Sequence, residues 1–349
     1  MGYNIGVMKK NIKIIIILIC CAAAVMFLKD ILFPVREIQL DQTHRTFVIN
    51  GDARVKSSGA EDWQKVTTST TFKNGDVIET GTNSTVDIII GPNCEKAVKI
   101  KGNSHVELEG INPTRINCTN GMVLATLEKL EPKSSFVVRT PMGISGARGT
   151  GWSVEATADR TAICVFDNNV YAIGADAGGR KRGKEFTITE GTRRIIFRDK
   201  AISDAQAIEN KDIVYWKYWS KNIAYLRDGK ILVNDFDTKE YFNNLGGVFG
   251  VWNVFYGDLN QSCLDELVPS DRAKDAGYCE KLIYDVDSPY SAYNGFFTKL
   301  LDIDITDYKY LVLYIKGDKE AGFTTRVNLE LKNGRNQVGK ASIDDITDQ

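Results

Sequence analysis

Apolar and polar residues alternate over much of this chain in short runs, which is the pattern of half-buried β-strands. His105–Glu109 alternates cleanly, and Val86–Ile90 and Ala97–Ile100 are rich in β-branched residues. Glycine, asparagine, serine and proline separate such runs at intervals of about 8–12 residues. The pattern predicts a mainly β protein built as a sandwich, barrel or β-roll. It disfavours a doubly wound nucleotide-binding sheet, because strands and helices do not alternate.

The apolar spacing changes to three and four residues between Asp199 and Leu226, which predicts a helix with a break near Asn210 and Ser203 as its N-cap. We expect Trp216 and Trp219 to pack between two modules. The predicted organisation is therefore a β domain over 46–198, a helical connector over 199–228 and a β module over 230–349. Further strands are predicted at Lys230–Val233, Tyr310–Lys316 and Arg326–Leu331.

An uninterrupted apolar run lies near the N-terminus, from Ile14 to Leu28, after Lys9, Lys10 and Lys13. The run is shorter than the ~20 residues that span a bilayer core, but flanking lysines can lengthen the effective span. The positive-inside rule keeps its start in the cytoplasm. The sequence therefore predicts a cytoplasmic stub and a transmembrane signal anchor over 1–33. This is the topology of a single-pass protein of the bacterial inner membrane, with its bulk in the periplasm or at the cell surface.

Other interpretations of this run remain open. A signal peptide cut after Ala22–Ala24 fits a small-residue cleavage site. A buried core helix and a lipoprotein modified at Cys21 are two more. The apolar residues that continue to Leu28 favour the uncleaved anchor.

Composition excludes several classes of function. A net charge of -1 gives no basic excess for nucleic acid. The chain contains no G-x-S-x-G elbow, P-loop or HExxH motif, and its only histidines are His44 and His105. We therefore expect a binding protein and not an enzyme.

Five cysteines lie outside the apolar run, and an oxidising compartment would allow them to form disulfides. The candidate pairs are Cys94 with Cys118 and Cys263 with Cys279, each within one module. Cys164 lies in an apolar stretch and is expected to be a buried thiol. No CxxC spacing occurs, which disfavours zinc and redox sites.

The most specific stretch runs from Thr140 to Val154 and reads TPMGISGARGTGWSV. Other motifs precede it in order: Gly51–Val55, Trp63, Asn74–Thr80 and Gly121–Val123. Together they resemble the FecR domain over roughly residues 47–175. Asn169 stands near the place where the family has a glycine, and asparagine tolerates the left-handed turn that a glycine would adopt there.

The resemblance implies an extracytoplasmic β domain that receives or transmits a contact with a protein or with the envelope. Arg148, Gly149 and Thr150 are its candidate contact residues; alternatively they fix a turn and an internal ion pair. The basic stretch 179–200 could face acidic lipid or an anionic wall polymer, or it is a solvated surface. Transcription regulators of the family resemble anti-sigma factors with a sizeable cytoplasmic segment. Only about a dozen residues precede the apolar run here, so FecR-type signalling through a partner is the alternative hypothesis.

The C-terminal module resembles the galactose-binding-like jelly roll of carbohydrate-binding modules, in an abbreviated form that stops soon after Leu331. Its motifs include Asn244–Gly247, Tyr293–Phe297 and Asp307–Asp318. The resemblance implies a glycan site in which aromatic rings stack on sugars. The candidates are Trp252, Tyr256, Tyr290, Tyr293 and Asn294.

Core packing is the alternative role for these aromatic residues. Asp235 and Asp237 are candidate ligands of a structural Ca²⁺, since hard cations take carboxylate oxygen; no other cofactor is expected. The leading hypothesis is a membrane-anchored envelope protein that binds a protein or a cell-wall polymer, with a polysaccharide as a further candidate partner and no nucleic acid.

Overall fold

The computed structural model describes residues 44–348 except 92–93, 112, 129–134, 148, 177–179, 200, 238–239, 256–261, 271–276, 286–288 and 291. The predicted anchor, Arg148 and Tyr256 lie outside the described residues. No helix within the described part has the length and hydropathy to span a bilayer.

Two large sheets make up the first module, and the prediction of a mainly β protein is confirmed. The strands of the first sheet are β1 (His44–Asn50), β4 (Thr71–Phe72), β6 (Thr85–Ile90), β7 (Lys96–Ile100), β9 (Thr114–Leu127), β12 (Gly151–Ala156), β13 (Arg160–Asp167), β16 (Thr192–Phe197), β17 (Gln206–Ala207) and β22 (Asp302–Ile303). This sheet is antiparallel, with strands in the order β22-β1-β6-β7-β9-β12-β13-β16-β17. The short strand β4 also pairs with β1.

The second sheet shares β9 and adds eight strands. They are β2 (Ala53–Lys56), β3 (Gln64–Lys65), β5 (Val77–Thr80), β8 (His105–Ile111), β10 (Phe136–Arg139), β11 (Gly143–Ala147), β14 (Asn169–Ala175) and β15 (Lys181–Thr189). Their order is β3-β2-β5-β8-β9-β10-β11-β14-β15. The one parallel pair among these described strands is β9 with β10.

Strand β9 belongs to both sheets. Its first half pairs with β8 and β10, and its second half pairs with β7 and β12. The change of partner falls at Gly121, whose φ of 95° is a left-handed conformation, and a Cβ there would lie 2.1 Å from the Ser104 hydroxyl. Glycine at this position therefore lets one strand cross from sheet to sheet.

The main hydrophobic core is formed by residues of both sheets. Trp152, Ile163 and Val98 come from the first sheet, and Phe136 and Ile116 come from the second. All five side chains are fully buried. The alternation of apolar and polar positions thus points one face of each sheet inward, as the sequence pattern predicts.

One helix, α1 (Asn210–Arg227), packs on the outer face of the first sheet. Trp216 stacks on Phe166 with ring centroids 5.6 Å apart. The prediction of helical structure before Asn210 is wrong, because Gln206–Ala207 forms strand β17 and pairs with β16. Ser203 is not the helix cap: its hydroxyl accepts a hydrogen bond from the Ile195 amide at 2.8 Å.

A buried asparagine connects α1 to the C-terminal module, since the Asn222 side chain donates to the Asn244 carbonyl at 3.1 Å. Within the module, the buried Asn243 side chain donates to the Lys299 carbonyl at 2.8 Å. The module itself consists of strand pairs. They are β18 (Phe249–Phe255) with β21 (Ala292–Thr298), β19 (Cys263–Pro269) with β20 (Tyr278–Tyr284), and β23 (Val327–Lys332) with β24 (Val338–Ile343).

Two predicted strands of this module do not form. Lys230–Val233 has no strand, although Ile231 packs against the residues beneath α1. Tyr310–Lys316 has none either, and Tyr310 is 87% exposed. β propensity reflects packing on a half-buried sheet, and composition alone does not supply that surface.

An acid pair in the C-terminal module predicts a pH-dependent stability. Burial, with a contribution from the nearby Asp265 carboxyl, raises the pKa of Glu280 to about 7 from an ordinary 4.5. The folded protein therefore holds the Glu280 proton more tightly than the unfolded chain does. The stability that this proton contributes is complete below the ordinary pKa of 4.5 and is lost as pH rises through about 7. We expect Glu280→Gln to raise the melting temperature at about pH 8 and to leave it nearly unchanged at about pH 4.

The measurement is thermal unfolding of both proteins across this pH range. Glu266→Gln is the matched control, because Glu266 is exposed on the same strand pair. Equal melting temperatures of the Glu280→Gln variant and the parent at high pH would contradict the prediction.

Candidate protein-contact site

The glycine-rich motif forms a buried turn between β11 and β12, here called the signature turn (residues 149–151). Gly149 has a φ of 77°, and its carbonyl accepts a hydrogen bond from the Asn168 side chain at 3.0 Å. The buried Thr150 hydroxyl donates to the Asp167 carbonyl, and the Thr150 carbonyl accepts from the Leu127 amide at 3.1 Å. These bonds tie the signature turn to β9 and β13, so Thr150 holds the turn from within.

A second network of buried hydrogen bonds lies at the start of the motif, around Thr140. The Thr140 hydroxyl lies 2.9 Å from the Gly143 carbonyl and 2.7 Å from the Thr161 hydroxyl. It also accepts a hydrogen bond from the Gly143 amide at 3.0 Å. A threonine here closes the corner between β10 and β11 and joins it to β13.

Gly151 leaves room for the helix. A Cβ at this position would lie 2.1 Å from the Trp216 ring, closer than any side-chain contact allows. The signature turn therefore touches α1 on one side and β13 on the other. The motif couples the two sheets to the helix.

The left-handed turn expected at Asn169 occurs one residue earlier. Asn168 has a φ of 55° and is the single residue between β13 and β14. Its amide donates to the Glu190 carboxylate at 3.1 Å. The prediction was wrong by one residue because the sequence pattern does not fix where β13 ends.

A buried ion pair beneath α1 was not found from the sequence. Lys99 Nζ lies 2.5 Å from Asp87 Oδ1, and Trp219 Nε1 donates to Asp87 Oδ2 at 2.9 Å. Burial lowers the pKa of Lys99, but the Asp87 carboxylate outweighs this effect and raises the pKa above its ordinary value. Burial also raises the pKa of Asp87, against the opposing effect of Lys99. The available signal was a charged residue inside each of two otherwise apolar strands.

A groove lies on the outer face of the second sheet beside the signature turn, with a volume of about 910 Å³. Its floor combines residues that are opposite each other across three strands. Val137, Gly146 and Tyr171 form one row across β10, β11 and β14, and Ile144 and Ile173 are paired in β11 and β14. The groove is therefore an apolar sheet face, flattened at its centre by a glycine.

Polar groups surround this floor. Asp167 and Asn168 lie at one end, where the signature turn contributes Gly149, and Lys181 and Glu185 come from β15. Burial, together with the Glu190 carboxylate, raises the pKa of Asp167. Glu128 also lines the groove, and its carboxylate lies 3.0 Å from Arg227 of the helix. The arrangement has the features of a peptide-binding surface: an apolar floor, an exposed tyrosine and charged edges.

The predicted glycan residues are separated by the strand pair β18–β21. Trp252 and Tyr293 lie on one face, 43% and 57% exposed, and the Trp252 ring covers Gly295. Asn294 lies on the opposite face, where its side chain donates to the Asp285 carbonyl at 2.7 Å. Tyr290 is exposed beyond the strand. The structure thus groups two of the predicted residues and separates Asn294 from them.

The predicted calcium ligands have another partner. Lys221 of α1 forms ion pairs with Asp235 and, at 2.9 Å, with Asp237. Within the described chain, no group of three or more acidic, histidine or cysteine side chains could hold a metal. The lysine ammonium supplies positive charge at both carboxylates, which disfavours Ca²⁺ at this position, and the calcium site stays a prediction.

The structure contradicts the disulfide predictions. Opposite Cys279 in the ladder lies Val268, five positions along β19 from Cys263, so the two cysteines are about 16 Å apart, whereas a disulfide requires less than ~7 Å. Cys94 lies in the cluster under α1, and Cys118 lies in the core between the sheets as a free thiol. Burial raises the pKa of Cys118 to about 12, so this thiol stays protonated.

A match to a known family supports the resemblance found in the sequence. Residues 76–171 match the family described as FecR protein. No curated protein matches the chain significantly. Two crystal structures of an anti-sigma factor candidate from Parabacteroides distasonis align with 11% identity and a TM-score of 0.34 each. The alignments cover 41% and 47% of this chain, and 64% and 69% of the two structures.

Proposed function

Because residues 76–171 form a FecR domain, we propose that this protein is a FecR-type regulator that works through contact with a partner protein. This is the signalling role that the sequence offered as the alternative to an envelope-binding role. The family match is the observation that carries the proposal. The proposal includes no catalytic step.

The groove beside the signature turn is the proposed place of contact. The turn is the most specific part of the FecR resemblance, and Gly149 lies at the edge of the groove. The same turn touches Trp216 of α1 at Gly151. A partner that fills the groove would therefore press on an element connected to the helix, and the helix is bonded to the C-terminal module through Asn222.

The proposed location is extracytoplasmic, with the chain held in the inner membrane by the apolar run Ile14–Leu28. A fusion of alkaline phosphatase after Phe33 tests this directly, since the enzyme is active only outside the cytoplasm. Activity from that fusion supports the topology. Activity only from a cytosolic reporter at the same position would exclude it.

A glycan contact is the second candidate function, favoured by the exposed Trp252 and Tyr293 on one face of β18–β21. Aromatic faces of this kind stack on sugar rings. Binding of the full-length protein to a glycan array, lost in Trp252→Ala, would support it.

The regulatory proposal is tested by comparing transcripts of cells with and without the gene. We expect deletion to change the expression of a defined set of genes, and the wild-type gene to restore it. Unchanged transcripts in every growth condition in which the protein is produced would contradict a regulatory role.

A further inference from the structure

The segment Tyr310–Ile315 of the C-terminal module exposes a continuous apolar surface. No strand of the described chain includes it, and its side chains fall into two sets by exposure. The set that is 68–87% exposed is Tyr310, Val312 and Tyr314. The set that is 44–47% exposed is Leu311, Leu313 and Ile315. This alternation is that of an extended chain with successive side chains on opposite faces, and monomeric proteins rarely leave such a run uncovered.

The order of residues in this segment is the same in both directions around Val312. A leucine lies one position away on each side, and a tyrosine lies two positions away. In an antiparallel pair of two such strands with a two-fold axis at Val312, each tyrosine is opposite a tyrosine and each leucine is opposite a leucine. A two-fold interface requires this kind of self-complementary surface. We propose that Tyr310–Ile315 pairs in this register with the same segment of a second copy of the chain.

The lysines that flank the segment fit the same register. In a ladder centred on Val312, Lys309 is opposite Ile315 and Lys316 is opposite Tyr308, so like charges do not face each other. A shift of the centre by one half-position, to lie between Val312 and the next residue, would place Lys309 opposite Lys316. Like charges directly opposite each other destabilise a strand pair, so the flanking charges favour the centre at Val312.

Both faces of the paired strands gain apolar contacts. Residues opposite each other in a ladder point to the same face, so the tyrosines and Val312 of the two copies form one row and the leucines form the other. Strand addition also supplies main-chain hydrogen bonds. Such a short ladder buries much less than the roughly 1,600 Å² of a standard interface, so we expect a weak dimer. The segment shares no residue with the lining of the groove, and the inference therefore goes beyond the proposed function.

Sedimentation velocity of the full-length protein in detergent measures the dimer, over roughly a hundredfold range of micromolar concentrations. Val312→Lys opposes two lysines at the two-fold axis and should weaken the dimer at least roughly tenfold. Val338→Lys makes the same change at an exposed valine of β24 and should leave the dimer unchanged. Val312→Thr keeps a β-branched side chain and should retain it. Circular dichroism checks that each variant is folded.

Cysteine substitution tests the register. Opposite residues of an antiparallel pair have Cα atoms about 4.5–5.5 Å apart, within the reach of a disulfide. Val312→Cys, oxidised with copper phenanthroline, should therefore give a disulfide-linked dimer. Leu313→Cys places the two cysteines roughly 8 Å apart, beyond that reach, and should give much less. The parent protein and Val338→Cys set the background.

A chain that stays monomeric at every concentration would overturn the inference. A dimer that is equally strong in Val312→Lys would overturn it as well, because the contact would then lie elsewhere. In cells, a photoreactive amino acid at position 310 should join two identical chains, and an adduct with a different protein would contradict the second copy as the occupant. If any of these results occurs while gene deletion still changes transcription, the inference fails and the proposed function stands.

Discussion

Replacing Lys99 by methionine is expected to lower the free energy of unfolding by about 3–5 kcal/mol. Lys99 and Asp87 are both almost fully buried, and their charged atoms are 2.5 Å apart. Removal of the lysine leaves a carboxylate in an apolar surrounding with Trp219 as its remaining side-chain donor. One neutral donor does not offset the desolvation of a carboxylate.

We expect the local loss of stability in Lys99→Met to be largest in α1. Trp219 donates a hydrogen bond to Asp87, and Lys99 Nζ lies 5.8 Å from the centre of the Trp219 ring, so both members of the ion pair contact α1. We expect amide hydrogen exchange in α1 to increase more than exchange in β8 or β14. Chemical denaturation gives the loss of stability, and hydrogen exchange locates it.

Two controls accompany this prediction. Lys65→Met removes an exposed lysine of β3 and should change stability by no more than about 0.5 kcal/mol. The double variant Asp87→Leu with Lys99→Met removes both charges and should recover much of the lost stability. A loss below about 1 kcal/mol for Lys99→Met alone would contradict the importance of the pair.

Replacing Trp152 by alanine is expected to cost about 3–5 kcal/mol, as large-to-small changes of fully buried aromatic residues do. Trp152 is 0% exposed and packs edge-on against Phe136, with ring centroids 5.2 Å apart. This contact joins the two sheets behind the groove. The substitution leaves a cavity that the rigid sheets fill only in part.

Trp152→Phe should cost much less, because the buried Trp152 Nε1 has no hydrogen-bond partner among the described residues and the change removes only volume. Trp252→Ala is the matched control, since Trp252 is 43% exposed in the C-terminal module. Urea denaturation measures all three. If Trp152→Ala and Trp252→Ala lower the free energy of unfolding equally, the core between the two sheets is not the main source of stability.

Local sequence signals predicted the features that depend on local chemistry. The Thr140–Val154 motif is recognisable because a proline, several glycines and a buried threonine each have a conformational or hydrogen-bonding reason for their position. The alternation of His105–Glu109 gave the correct strand β8, whose buried and half-buried positions alternate as expected.

Features that depend on register were not predictable in this way. Cys263 and Cys279 are close in sequence and lie in paired strands, yet the register of β19 and β20 separates them. Asp235 and Asp237 have the composition of a cation site, but Lys221 approaches from a helix earlier in the chain.

The groove combines residues separated by more than thirty positions, since Val137 and Tyr171 meet only when β10, β11 and β14 assemble. No periodicity within one strand indicates which neighbour it will have. A pattern of alternating residues predicts that a strand has a second face, and the assembled sheet determines what that face can bind.

The most direct test of a protein contact at the groove is photo-crosslinking in the native cells. A photoreactive amino acid replaces Tyr171 in the full-length protein, and the same replacement at Tyr310 is the control. We predict one discrete protein adduct from position 171, absent from position 310 and strongly reduced when Glu185→Lys is added. The same adducts from both positions, or no protein adduct from position 171, would contradict a regulator that works through this surface.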